Sequence, residues 1–318
     1  MHYDIFNGDA DGICALLQLR LAEPKESELI TGVKRDINLL SKVTVKSGDS
    51  LTVLDVSLDK NRDGLVSALD AGAEVFYVDH HYAGDIPESE KLTTIINPAP
   101  DVCTALLVNQ HLNYAYVNWA VTGAFGDNLN DSAMRVAKKA ELSEEELASL
   151  KDLGIYLNYN GYGASLDDLH YTPAELFKTL LNYACPLDFI RDSDGIFSAL
   201  EAGYKEDMHK ASTSPYLLET ASTVVLELPN EAWARRVSGV YGNALANEHP
   251  ARGHAVLTHK ANGNYLVSVR APLENKTGAD EFCRGFETGG GRAAAAGIND
   301  LPAEQLEDFL KRFEAFYS

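Results

Sequence analysis

The first hundred residues alternate between short apolar runs and segments with helical periodicity. Residues 3–6 read as a short strand that ends in Asn7-Gly8, and residues 13–21 (ICALLQLRL) read as a helix with few breakers. A second strand is expected at 28–33 and a third in the apolar run 51–56 (LTVLDV), followed by a helix near 62–71. Residues 74–78 (EVFYV) form a further strand ending at Asp79, and 94–97 form another short one. Strands separated by helices predict βαβ units and a parallel sheet.

From residue 103 to 210 the pattern is mainly helical. Residues 103–112 and 117–125 have the apolar content of buried helices. Residues 142–157 open with Ser143 and carry Glu146 three positions later, a capping-box signature that makes Ser143 a cap. Pro173, Pro186 and Gly195 punctuate later helices, and 158–163 (NYNGYG) reads as a loop. A second module begins near residue 222 with a strand at 224–228 and a helix at 231–245. Strands at 253–259 and 264–270 flank an Ala-Asn-Gly turn, a strong hairpin signal. A helix at 279–286 leads to GGGRAAAAG at 289–297, read as three glycines before a short helix at 292–296, and a last helix covers 302–317. The expected class is α/β, with an N-terminal parallel-sheet domain and helical extension over 1–215 and a smaller α/β domain over 222–318.

Composition narrows the function. Apolar runs such as 293–296 fall far short of the ~20 residues needed to cross a bilayer. No basic segment precedes an apolar stretch at the N-terminus, so neither a membrane protein nor a secreted one is expected. Cys14, Cys103, Cys185 and Cys283 are scattered without a CxxC pair, which fits neither a zinc framework nor a disulfide scaffold and points to a reducing cytoplasm. With 27 Lys and Arg against 47 Asp and Glu, the chain carries −20. Long nucleic acids are held through many cationic phosphate contacts, so a small anionic substrate offset by local cations is the better fit. The apolar helices between 103 and 125 could pair two subunits, although burial within the domain accounts for them equally.

The candidate chemistry gathers at strand ends. Asp9 and Asp11 follow the first strand, Asp55 ends the third, and Asp79, His80 and His81 follow the fourth. In an open parallel sheet the carboxyl ends of the strands converge on one crevice. Taken singly, DxD after a strand is a turn or helix cap, and Asp55 could cap the next helix. Together they place four carboxylates and two imidazoles in one region, where divalent cations would relieve the repulsion. Such donors suit Mn²⁺ and related ions. Two ions ~3.5–4 Å apart, sharing a bridging carboxylate and a water nucleophile, would give a hydrolase centre.

NGDADG at 7–12, LDVS at 54–57, DHH at 79–81 and GAFGDN at 123–128 resemble, in order, the four motifs of the DHH phosphoesterases. VSVR at 267–270 and GGGRAAAAG at 289–297 resemble the associated DHHA1 substrate domain. The resemblance implies Mn²⁺-dependent cleavage of phosphoester or phosphoanhydride bonds, with Mg²⁺ as an alternative ion. It implies that Asp9 binds the first metal, that Asp11, His80 and Asp127 bind the second, and that Asp55 bridges them. His81 would face the scissile phosphate or a metal-ligand water, and Asp79 would orient a neighbouring imidazole. A helix ending in a cap is the other reading of GAFGDN.

Two positions depart from the family pattern. The His expected four residues before Asp9 is Ile5, so the first metal site is short of one ligand and should bind weakly or be completed by substrate or water, giving two separable metal affinities. Arg292 stands where His is usual and cannot act as a general acid; with Arg270 it reads as a phosphate clamp beside Gly289, Gly290 and Gly291. Arg270 could instead form a rim ion pair. Tyr82, Tyr159 and Tyr162 are candidates for stacking a base. The two-domain plan resembles the oligoribonuclease-like and linear-dinucleotide hydrolase members, with substrate held between the domains. The expectation is hydrolysis of dinucleotides or very short oligonucleotides, a linear guanine dinucleotide among them, to mononucleotides. The alternatives are a 3′-phosphatase for adenosine bisphosphates and a non-catalytic nucleotide sensor.

Overall fold

The computed structural model describes residues 1–138 and 140–318. The chain divides into two compact units, Met1–Glu201 and Ala202–Ser318, each described by itself. The division falls inside a helix, Ile196–Ser212, upstream of the 215/222 boundary expected from the sequence.

In the first unit, β1 (His2–Phe6), β2 (Glu28–Ile30), β3 (Ser50–Leu54), β4 (Glu74–Asp79) and β5 (Leu92–Ile96) form one sheet in the order β2-β1-β3-β4-β5. All its pairings are parallel. The chain leaves β1 toward β2 and returns on the other side as β3, so the strand order reverses between β1 and β3. Crevices at such reversals, beyond the carboxyl ends of the strands, are where open α/β sheets bind ligands. Phe6 pairs with Leu54 and Leu54 with Val78, which sets the ends of β1, β3 and β4 level.

Side-chain alternation assigns the two faces. Ile5, Val53 and Tyr77 pack on Leu58, Leu65 and Ala68 of α2 (Leu58–Asp70). On the other face lies α1 (Ala10–Ala22), buried around nearly its whole circumference, which explains its lack of a polar stripe. It packs against α3 (Thr104–His111), α4 (Val117–Gly126) and, past α5 (Asn130–Ala137), α6 (Glu144–Gly161). Asp4 faces α1 and forms a buried double contact with Arg20 at 2.6 and 2.9 Å, joined by His2 and Ser27. Helices α4 and α6 approach through glycine: a Cβ on Gly154 would stand 2.2 Å from the Thr122 carbonyl.

The capping box at Ser143 is present, with Glu146 bonded back to the Ser143 amide. Residues 158–161, expected as loop, instead continue α6. Buried Asn160 bonds the carbonyl of Tyr171 and the amides of His170 and Tyr171, so its amide group ties the next segment to the helix. Helices α7 (Pro173–Leu180), α8 (Pro186–Asp192) and α9 (Ile196–Ser212) follow.

The second unit holds β6 (Tyr216–Glu219), β7 (Thr223–Leu228), α10 (Ala232–Glu248), β8 (Gly253–His259), β9 (Tyr265–Arg270), α11 (Ala279–Arg284), β10 (Gly289–Gly291), β11 (Ala295–Leu301) and α12 (Leu306–Tyr317). The sheet runs β10-β11-β9-β8-β7-β6, antiparallel except for β7 with β8, the pair joined through α10. One face is closed by an aromatic cluster of Phe282, Phe286, Phe309 and Phe313.

The expected helix at 292–296 is absent. Gly289–Gly291 and Ala295–Leu301 form a hairpin, closed by reciprocal backbone bonds between Arg292 and Ala295. Alanine favours helix, but the segment satisfies its backbone elsewhere: β11 pairs with β9, and the Ala293 and Ala294 carbonyls accept from the amides of Ala279 and Ala271.

Candidate metal centre

Asp9 follows β1 and is the N-cap of α1. Its Oδ1 accepts the amides of Asp11 and Gly12 at 3.0 and 3.1 Å. Asp11, in the first turn of α1, accepts the amides of Thr104 and Ala105 at 2.8 and 2.7 Å, one on each oxygen, and so caps α3 as well. Asp55 follows β3 with φ of +58°, a left-handed conformation uncommon for a residue with a Cβ. Its Oδ1 accepts the Thr104 hydroxyl at 3.2 Å. Both bland readings of the DxD motif are therefore true of the backbone, and they coexist with a cluster of side chains.

His80 decides what that cluster can do. Its Nδ1 lies 2.9 Å from the Val102 carbonyl, which can only accept, so Nδ1 carries a proton and Nε2 is the nitrogen turned to the cluster. Nε2 stands 3.4 Å from Asp55, 3.8 Å from Asp11 and 3.9 Å from Asp127. A ring nitrogen turned on the buried carboxylates of Asp11 and Asp55 and the half-buried one of Asp127 is the arrangement of a cation's ligands, with the second ring nitrogen held by a carbonyl. Asp55, His80 and His81 offer donor atoms within 4.8 Å of one another. His81 Nδ1 bonds Asp79 Oδ1 at 2.7 Å, so the imidazole that Asp79 orients is that of His81. Asp127, at the C-cap of α4, joins the cluster across from β4.

Burial and mutual repulsion shift the titration of these acids. Burial, reinforced by Asp127 and Asp9, pushes the Asp11 carboxyl up to about 6. Burial together with Asp11, Asp9, Asp79 and Asp127 raises Asp55 well above the ordinary carboxylate range. Asp9 behaves differently. Burial would raise it too, but the Lys34 ammonium outweighs that and holds Asp9 below its ordinary value.

Lys34 is the residue that sequence reasoning missed. Its Nζ contacts Asp9 Oδ2 at 2.5 Å and Asn158 Oδ1 at 2.8 Å, stands 3.8 Å from Asp127 Oδ1, and lies over the Tyr162 ring. The available signal was position. Lys34 follows the strand expected at 28–33, as Asp9 and Asp55 follow theirs. Asn158 and Tyr162 lay in the stretch read as loop.

Other expected site residues sort unevenly. Ile5 is in the core against α2 and ligates nothing. Tyr82 is exposed, whereas Tyr159 is buried with its hydroxyl against His170, which removes it as a stacking surface. In the second unit the Arg270 guanidinium bonds Asn243, Ser268 and the carbonyls of Val269 and Gly239, bracing α10 on β9. Its nitrogens are engaged inside the unit, which argues against a phosphate clamp. Arg292 is exposed at the hairpin turn. A Cβ would stand 1.7 Å from the Cys283 carbonyl at Gly289 and 2.5 Å from Ala296 Cα at Gly291, but would meet nothing within 4 Å at Gly290. Packing explains the outer two glycines and leaves Gly290 unexplained. A separate cavity of 530 Å³, lined by His2, Arg20 and Lys91 among others, opens at the amino ends of the strands, away from the acids.

No protein-family profile matches the chain, and no curated protein does. Solved structures do. A DHH domain described as a member of the s1p family of ribosomal proteins superposes with a TM-score of 0.64 at 12% identity, covering 99% of this chain and 85% of its own. The chain has the DHH-domain fold. PggH, a pGpG-specific phosphodiesterase from Vibrio cholerae, matches the same fold with a TM-score of 0.57 at 16% identity, over 99% of this chain and 100% of its own. RecJ from Thermus thermophilus, solved with Mn²⁺, matches with a TM-score of 0.55 at 17% identity, over 99% of this chain and 52% of RecJ. Within this DHH fold the Asp-His-His run lies where β4 ends, beside Asp55 at the end of β3. No helix among the described residues is long and apolar enough to cross a membrane.

Proposed function

We propose that the chain is a divalent-metal-dependent phosphodiesterase that hydrolyses dinucleotides or very short oligonucleotides to mononucleotides. The observation that carries this reading is His80 Nε2 facing Asp11, Asp55 and Asp127 at the reversal point of the parallel sheet. These four residues would hold the ion, Mn²⁺ by the mixed carboxylate and imidazole donors, with Mg²⁺ as the alternative. A bound divalent cation would supply Lewis acidity toward a phosphoryl oxygen and lower the pKa of water. The protein does the rest. The Val102 carbonyl fixes the His80 tautomer, the Thr104 hydroxyl steadies Asp55, and Asp79 orients the partly exposed His81 to hold or move a proton at Nε2. Gly290 and Arg292 are the substrate-phosphate contacts in this reading. The likeness to PggH over both whole chains supports a dinucleotide, and the charge of −20 supports a short substrate over a long strand.

Lys34 against Asp9 favours one second reading, a sensor that binds nucleotide without turning it over. A substrate panel with Mn²⁺, Mg²⁺ or chelator, resolved by chromatography, separates the readings. Mononucleotides from a dinucleotide support the phosphodiesterase. Orthophosphate from an adenosine bisphosphate would indicate a phosphatase, and binding without products a sensor. Asp55→Asn and His80→Ala should abolish turnover while leaving the circular-dichroism spectrum unchanged; normal metal-dependent activity in either variant would overturn the site assignment.

A further inference from the structure

We infer that Lys34 takes the place of one of the two divalent cations the acidic cluster would otherwise call for, so that each chain binds a single ion. The inference rests on the reading above, that Asp11, Asp55, His80 and Asp127 hold a divalent ion, and concerns how many ions the cluster takes.

Both oxygens of Asp9 are already engaged. One oxygen accepts the amides of Asp11 and Gly12, and the other accepts the Lys34 ammonium. The ammonium has three N–H groups. Asp9 Oδ2 and Asn158 Oδ1 take two of them, and Asp127 Oδ1 stands 3.8 Å from Nζ. The Tyr162 ring, 5.4 Å from Nζ to its centroid, covers the cation further. An ion coordinated by Asp9 Oδ2 at ~2.1 Å would compete for the volume that Nζ fills.

The lysine is also held from behind. Its amide donates to the Gly161 carbonyl at 2.7 Å, and its carbonyl accepts the Asn7 side-chain amide at 3.2 Å. Gly161 in turn lies against Asp9: a Cβ there would stand 3.1 Å from Asp9 Cα and 3.0 Å from the Gly8 carbonyl. The segments carrying Asp9, Lys34 and Asn158 are thus locked together, and the ammonium does not depend on a loose surface side chain finding its partner. At Ile5 the chain carries a core side chain packed on the opposite face of the sheet. Ile5 offers the Asp9 side of the cluster no ligand, and Lys34 supplies a positive charge there. A fixed single charge stands where an exchangeable double charge would need one more ligand. The other half of the cluster differs. Among the described residues, Asp11 and Asp55 meet the imidazoles of His80 and His81 and no lysine or arginine, so that half keeps its need for a metal.

The test counts ions. Full-length protein is stripped, dialysed against Mn²⁺ and assayed for bound manganese by elemental analysis, with electron paramagnetic resonance to distinguish an isolated ion from a spin-coupled pair. The wild type should hold one Mn²⁺ per chain with an uncoupled signal. Lys34→Met, which keeps the stem and removes the charge, should hold two with coupling, whereas Lys34→Arg should stay at one. Two coupled ions in the wild type would overturn the inference, as would one ion in a folded Lys34→Met. No bound manganese in the wild type would instead bring down the underlying metal-site reading. If Lys34→Met does not fold, the wild-type count and signal still decide.

Discussion

Removing metal from this protein should make its stability fall as pH rises, the reverse of the usual acid response. Asp11 is buried, and its carboxyl lies near 6 instead of 3.8. An acid whose pKa is raised on folding binds its proton more tightly in the folded chain. Its contribution is therefore fully present below 3.8, the unfolded value, and is lost as pH rises through 6. At about 1.4 kcal/mol per pKa unit, the loss from Asp11 is about 3 kcal/mol. Asp55 is raised by the same burial and the same neighbours, so it acts in the same direction. About 2 kcal/mol of that loss falls between pH 4.5 and pH 7, which for a unit of this size is a drop of roughly 4–8 °C in melting temperature. Metal-stripped protein melted in metal-free buffers at pH 4.5 and pH 7 measures it. Saturating Mn²⁺ at pH 7 should recover the loss, since a ligand of the folded state adds stability by mass action. Equal melting temperatures at the two pH values without metal, together with no response to Mn²⁺, would refute the claim that these carboxylates share one buried site in need of a cation.

Three further outcomes are expected. Gly289→Ala should destabilise the second unit by more than about 1 kcal/mol in urea denaturation, because its Cβ would meet the Cys283 carbonyl, whereas Gly290→Ala should change stability by less than about 0.5 kcal/mol. If Gly290 and Arg292 contact substrate phosphate, Gly290→Ala and Arg292→Ala should each raise KM several-fold with kcat largely kept, and steady-state kinetics on a dinucleotide will show it. Arg20→Met, which strands the buried Asp4 carboxylate, should cost about 3–5 kcal/mol by chemical denaturation at neutral pH.

Much of the first unit was legible because strand periodicity is a strong signal and the candidate site lies where strands stop. Asp9, Asp55 and the run from Asp79 to His81 could be placed at one rim without knowing a single contact. Lys34 escaped because only carboxylates and imidazoles were sought at strand ends, and a lysine in an acidic chain reads as solvated surface. Asn158 and Asn160 escaped because asparagine beside glycine signals a loop; their side-chain amides are instead hydrogen-bonded within a buried helix end. Local propensity also misled at Arg292–Ala296. The helix preference of four alanines is small beside the pairing of β11 along β9, a tertiary partner no local window contains. Arg270 illustrates a third limit: sequence gives the charge but not whether nearby acceptors have already taken it.

Asp11 has two obligations at once, and they tie the centre to the scaffold. The carboxylate that would grip an ion also anchors the opening amides of α3, Thr104 and Ala105. Emptying the centre weakens that anchor by favouring a proton on Asp11, so loading the ion should slow solvent exchange at those two amides. A hydrogen-exchange experiment could then read occupancy from a helix start, with no substrate present and no turnover to follow.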